Sequence, residues 1–206
     1  VLYRHRFLDE ALCNQARAVW REQPVLHTPD VSVGVLGLGA IGCRIAEQLK
    51  QFGFRVHGWS RTPKTLAGVA CHHGPGGLRE MLPHCMHIIC VLPPTRETEG
   101  LIDAEFLARM PSGSHLVNIG RGAHLVEADL LAALGSGQIA GAVLDVFHDE
   151  PLPETHPFWS HPDIVVTPHM AGELLPRRAV AHIADGIRRH REGAPLRNVY
   201  DAARGY

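Results

Sequence analysis

Three side chains with complementary chemistry occupy matching places in the chain. Arg121 follows "HLVNIG", Glu150 follows "GAVLDVF", and His169 follows "DIVVTP". A guanidinium can anchor a carboxylate and polarise an adjacent carbonyl oxygen. An imidazole, with a reference pKa near 6.5, can give that oxygen a proton or take one back. A carboxylate hydrogen-bonded to the imidazole would orient it and favour its protonated form. The chemistry such a trio suits is hydride transfer to a carbonyl. Taken singly, each has an ordinary alternative: a loop fastener, an exposed acid, and one of 15 histidines.

A second constellation is made of glycine. In "GVLGLGAIG", Gly37, Gly39 and Gly42 form G-x-G-x-x-G between an apolar run and a helical one. Gly37 permits a tight turn, Gly39 lets the backbone approach a pyrophosphate, and Gly42 lets the helix pack on the sheet. Ala40 and Ile41 open that helix, whose N-terminus offers amide donors and a partial positive charge. In this context the motif reads as a dinucleotide loop rather than a merely structural turn. About 20 residues further on, such sites keep an acid for the ribose hydroxyls. Here "GWSRTPK" has no acid at all. Arg61 offers a planar fork for a phosphate, Ser60 and Thr62 add hydroxyls, and Lys64 is nearby. The charge pattern predicts NADP(H) in preference to NAD(H), with NAD(H) still possible.

The elements that must position these groups alternate regularly. Apolar runs at residues 31–37, 54–60, 87–92, 115–120, 139–147 and 163–168 read as strands, and Cys71 as the end of another. Helical patterns fall at 40–52, 76–82, 101–109, 126–137 and 173–191, with an apolar helical stripe at 7–20. Strands alternating with helices predict an α/β fold, a doubly wound parallel sheet of Rossmann-like type. Ligands of such sheets bind outside the C-terminal ends of the strands. The trio and the glycine loop all follow strands.

The bulk numbers narrow the partners. The chain has 206 residues, 45% hydrophobic and 20% charged, with net charge −1. That balance gives no electrostatic reason to expect nucleic acid or an anionic membrane. No apolar run approaches the roughly 18 residues of a membrane-spanning helix. Five cysteines without CxxC spacing read as reduced thiols of a cytoplasmic protein. "CHHGPGGLREMLPHCMH" gathers Cys71, His72, His73, His84, Cys85 and His87, but in no closed zinc spacing, so no metal is expected. The histidines outside this stretch, His169 apart, are read as surface or capping residues.

Together these motifs resemble the D-isomer-specific 2-hydroxyacid dehydrogenases, most closely their glyoxylate/hydroxypyruvate reductase branch. The carrying stretches are "GVLGLGAIG", "WSR", "LPPTRETEGLI", "LVNIGRGAHLVEADLLAAL", "GQIAGAVLDVFHDEPLP", "HPFW", "TPHMAG" and "ARGY". They span nearly the whole chain in the family's order. The resemblance implies a catalytic triad of Arg121, Glu150 and His169. It implies a cofactor lined by Leu92, Pro93, Thr98 and Ile119, with Asp145 near the nicotinamide carboxamide. "WSR" is similar to the NADP-preferring branch; Pro94 and Arg96 depart from the usual loop. It further implies a small 2-keto acid substrate, glyoxylate or hydroxypyruvate, and a homodimer.

Family members also carry an N-terminal substrate-binding portion. The expected division is a linker helix at 1–23, a dinucleotide-binding domain at 24–172, and a C-terminal helix at 173–206. Such a chain is expected to bind cofactor and to turn over weakly. Two other readings compete. Relatives of the same fold act as NADH-sensing corepressors, a binding module. The β-hydroxyacid dehydrogenases share the glycine loop and an "SRT..K"-like turn, but rely on a lysine in an all-helical second domain, whereas here the sheet pattern continues through "LDVF" and "TPH".

Overall fold

The computed structural model describes residues 1–172, 176–197 and 199. Seven strands form one parallel sheet in the order β3-β2-β1-β4-β5-β6-β7. They are β1 (Ser32–Leu36), β2 (Arg55–Ser60), β3 (Ala70–His73), β4 (His87–Cys90), β5 (Ser114–Asn118), β6 (Ile139–Leu144) and β7 (Ile164–Val166). The connecting helices are α3 (Ala40–Gln51), α4 (Gly74–Met81), α5 (Ala104–Arg109) and α6 (Glu127–Gly135). Helices α1 (Leu2–His5) and α2 (Leu8–Ala16) precede them, and α7 (Pro176–Arg191) follows.

The apolar runs are strands because both faces of the sheet are covered. Side chains alternate along each strand, so Val33 and Val35 of β1 join one buried cluster with Ala46, Leu49 and Ile89. Leu36, Ile88 and Cys90 join the other cluster with Met81, Leu82 and Phe106. Burying a side chain such as Ile88 stabilises the fold by about 1.5–3 kcal/mol. Strand order grows outward in both directions from β1 and β4, which pair in register from Val33↔His87 to Leu36↔Cys90. The chain therefore changes winding direction between β1 and β4. A crevice opens at such a switch point, beyond the strands' C-terminal ends.

One expectation needs correction. The single helix foreseen over residues 1–23 is two short helices, broken where Phe7 takes a left-handed conformation (φ 53°). Regular helix stops at Ala16, and Ala18 is again left-handed (φ 54°). The apolar stripe that suggested a longer helix is real, but Leu8, Leu12, Val19 and Trp20 are exposed. No packing partner among the described residues holds the stripe helical. The C-terminal helix is observed over Pro176–Arg191; residues 173–175, 198 and 200–206 lie outside the described residues.

Candidate functional site

A groove of about 960 Å³ lies over the switch point. Its floor is the turn from β1 to α3. Gly37 has φ 102°, which an L side chain rarely adopts. A Cβ on Gly42 would stand 1.7 Å from the Gly37 carbonyl oxygen, so only glycine lets α3 begin this close to the strand. Nothing lies within 4 Å of a Cβ built on Gly39, so the backbone there faces open space. Gly39, Ala40 and Ile41 line the groove at the N-terminus of α3, where backbone amides attract anions.

The end of β2 supplies one wall. Ser60, Arg61, Thr62 and Lys64 all line the groove. The Ser60 hydroxyl donates to the Thr62 carbonyl (2.8 Å), shaping the turn that carries Arg61. The Lys64 ammonium donates to the Leu38 carbonyl (2.6 Å), bracing the glycine loop. Arg61 pairs with Glu97, Nη1 to Oε2 at 3.2 Å. Trp59 Nε1–H donates to the Gly74 carbonyl (2.8 Å), fixing β2 to the start of α4.

The opposite wall comes from the loops after β4 and β5, with Leu92, Pro93, Thr98, Ile119 and Arg121. The Thr98 hydroxyl is used within its own loop, donating to the Pro93 carbonyl (2.8 Å) and accepting from the Thr95 amide (2.9 Å). Two residues outside the sequence reading join the loops. His124 is fully buried; its Nδ1 accepts from the Arg121 amide (3.1 Å), so Nε2 carries the proton and faces the Pro93 carbonyl (3.2 Å). Burial lowers its pKa, as does the nearby Arg121 charge, against the opposing Pro93 bond. Buried Asn118 accepts from the Gly120 amide (3.1 Å) and donates to the Arg121 carbonyl (3.0 Å). Arg121 thus sits on a loop tied at three points.

Glu150 and His169 meet as expected, with Nδ1 of His169 2.7 Å from Oε2 of Glu150. An ionised carboxylate only accepts, so Nδ1 carries the hydrogen and Nε2 is left for other chemistry. The other Glu150 oxygen accepts from the Phe147 amide (2.9 Å). The His169 bond, the Phe147 amide and the Arg121 charge hold the Glu150 carboxyl below its ordinary range, against partial burial. His169 is itself left-handed (φ 51°), its amide donating to the carbonyls of Asp145 (2.9 Å) and Thr167 (3.0 Å).

Asp145 explains that conformation. Its carboxylate accepts from the Thr167 hydroxyl and from the amides of Met170 (3.0 Å) and Ala171 (2.9 Å). Burial works against its charge, but these bonds and His169 outweigh burial and lower its pKa. Of the expected site residues, Asp145, Glu150 and His169 do not line the groove; Arg121 does, and its charge acts on Glu150.

From the Cys/His stretch, His72 Nε2 lies 3.1 Å from Nδ1 of His57 on β2, and His84 stacks on the His57 ring at 6.0 Å. Among the described residues no group of three or more His, Cys, Asp or Glu could hold a metal ion. None of their helices is long and apolar enough to cross a membrane.

An all-parallel sheet with a glycine-loop groove at its switch point defines a Rossmann-like α/β protein. Comparison with known proteins gives the family. The profile of the D-isomer specific 2-hydroxyacid dehydrogenase NAD-binding domain matches residues 1–171, and the chain belongs to that family. The glyoxylate/hydroxypyruvate reductase A of Photorhabdus laumondii is 43% identical over 206 residues, all of this chain and 66% of that protein. The chain thus spans just under two thirds of the length of such curated relatives. The D-isomer specific 2-hydroxyacid dehydrogenase of Xanthobacter autotrophicus Py2, in complex with NADPH and MES, superposes with TM-score 0.96 at 43% identity, over 100% of this chain and 85% of that one. The NADPH-dependent glyoxylate/hydroxypyruvate reductase of Sinorhizobium meliloti, with NADP and sulfate, gives 0.95 at 34% identity, over 100% and 66%.

Proposed function

We propose that this chain binds NADP(H) in the switch-point groove and serves the reduction of a small 2-keto acid, glyoxylate or hydroxypyruvate, to the 2-hydroxy acid. The observation that carries the reading is the 2.7 Å His169–Glu150 pair beyond the strands that neighbour Arg121 and a nucleotide groove in which β2 ends on Arg61 rather than an acid. The groove's residues fit the cofactor: open backbone at Gly39, amides at the start of α3, and Arg61 where an acid would repel a 2′-phosphate. When bound, the reduced cofactor supplies the hydride for the keto carbon. Arg121 holds the substrate carboxylate and polarises the keto oxygen. His169 gives its Nε2 proton to that oxygen as the carbonyl double bond opens, and Glu150 keeps the ring oriented through Nδ1. Asp145 positions His169 through the 167–171 backbone.

Within this reading, residues 24–172 form the cofactor unit, with α1 and α2 before it and α7 after it. The relatives named reductases favour catalysis over a purely sensing module. A homodimer and a cytoplasmic setting complete the proposal. The exposed apolar residues Leu12, Trp20 and Val25 support the first, and five unpaired thiols the second.

The test is side-by-side titration with NADPH and NADH. NADPH binds more tightly, and Arg61→Asp removes the difference; equal binding of both cofactors by the wild type overturns the reading. Turnover is assayed with glyoxylate and hydroxypyruvate, and oligomeric state by sedimentation.

A further inference from the structure

The second strand lacks an acid at its end, yet an acid reaches that place from another part of the sheet. Glu97 stands in the loop after β4, 36 positions beyond Arg61, and its Oε2 lies 3.2 Å from Arg61 Nη1. Both residues line the groove. Their side chains are 69% and 40% exposed, and ion pairs this wet are weak and readily exchanged. The placement of Glu97 is nonetheless built. The neighbouring Thr98 is buried, and its hydroxyl bonds to the Pro93 carbonyl and the Thr95 amide fix the turn from which Glu97 projects. Across the groove, the Ser60 bond to the Thr62 carbonyl fixes the turn that carries Arg61.

We propose that Glu97 is a specificity-determining residue, a negative charge held against Arg61 that restrains the groove's preference for a 2′-phosphorylated cofactor. The inference rests on the reading of this groove as an NADP(H) site. A phosphate gripped by Arg61 takes up guanidinium hydrogens, one of which now faces Glu97, and it brings about −1.5 to −2 of charge into the field of that carboxylate. An unphosphorylated ribose brings no charge, so Glu97 is close to indifferent to NADH. The carboxylate therefore enters the difference between the two cofactors while leaving their common part alone.

The experiment titrates the 206-residue chain with NADPH and with NADH, by calorimetry, in wild type, Glu97→Gln and Glu97→Lys. Glu97→Gln removes the charge at nearly constant shape. The expected result is NADPH affinity raised about threefold at low salt, with NADH affinity held within about twofold, as one screened charge at an exposed site implies. Glu97→Lys raises NADPH affinity further, and added salt shrinks both gains. Wild type that prefers NADPH, with Glu97→Gln binding NADPH no better or less well, overturns the role of Glu97 alone. Wild type that binds both cofactors equally overturns the NADP(H) reading on which it rests. Thermal melts matching wild type confirm that each exposed substitution leaves the fold intact.

Discussion

At the scale of the residue, the site depends on hydrogens, both absent and present. Gly42 has room for a hydrogen and nothing larger, because the Gly37 carbonyl occupies the space a Cβ needs. That oxygen belongs to backbone at a left-handed glycine, so it cannot swing aside as a side chain would. Gly42→Ala is expected to destabilise the chain by about 1–3 kcal/mol and to weaken NADPH binding at least tenfold, measured by thermal melting and titration. A present hydrogen matters at His169. Glu150, held ionised below the usual glutamate range, keeps accepting the Nδ1 hydrogen as pH falls through that range. Glu150→Gln removes the carboxylate that accepts from Nδ1 and orients the ring, and kcat is expected to fall about 10²-fold with little change in NADPH affinity. These residues were legible because position alone marks them: each follows a strand. His124 and Glu97 were not legible. Their partners, Pro93 and Arg61, lie 31 and 36 positions away, and no local pattern announces a contact at that separation.

Strands β4 and β5 carry a different lesson at the scale of the element. Histidines outside the Cys/His stretch, His169 apart, were expected at surfaces or caps, yet His115 of β5 is only partly exposed and stacks at 5.1 Å on His87, which opens β4 almost fully buried. The pairing His87↔His115 places both at the N-terminal edge of the sheet, under α1. Periodicity could not reveal the stack, since it joins rings from separate strands, with Arg4 of α1 brought in beside His115. Burial, then mutual repulsion and the charges of Arg4, His5 and the N-terminus, push His87 down to about 3. Burial and Arg4, opposed by Asp9 and Asp163, push His115 down to about 4. The unfolded rings take up protons below their ordinary value of 6.5, whereas the folded rings resist until pH 3–4. The unfolded state thus binds more protons in that window, and stability is full above 6.5 and falls as pH drops. Denaturation midpoints are expected to decline from pH 7 to pH 4.5, steepening toward about 1.4 kcal/mol per pH unit for His87. His87→Leu should flatten that slope; an unchanged slope would mean the ring is charged in the folded state.

At the scale of the whole molecule, the winding of the sheet was legible and its closure was not. Alternating apolar runs and helices fixed a parallel sheet, and the glycine loop fixed where it opens. What closes the opposite end is Arg4, on a helix the sequence expected to run unbroken through Phe7. The break turns α1 back so that the buried Arg4 guanidinium reaches the Asp9 carboxylate and donates to the Asp163 carbonyl (2.6 Å) just before β7. Gly141 of β6 makes room for it: a Cβ there would stand 2.5 Å from Arg4 Cζ. The guanidinium is the tip of a flexible side chain, but its two partners pin it. Arg4→Ala is expected to cost about 2–4 kcal/mol, because it leaves the Asp9 charge without its partner and removes one of the two donors to the Asp163 carbonyl, the other being the Ala142 amide. Gly141→Ala should cost a similar amount in the wild type by evicting the same guanidinium. In the Arg4→Ala background the second substitution meets an empty space and should be nearly neutral. Chemical denaturation of the four proteins measures the coupling directly. Additive losses would show that Arg4 does not lock α1 to the sheet, and the N-terminal helices would then have to be held by their other contacts, among them the His5–Thr28 hydrogen bond (3.1 Å).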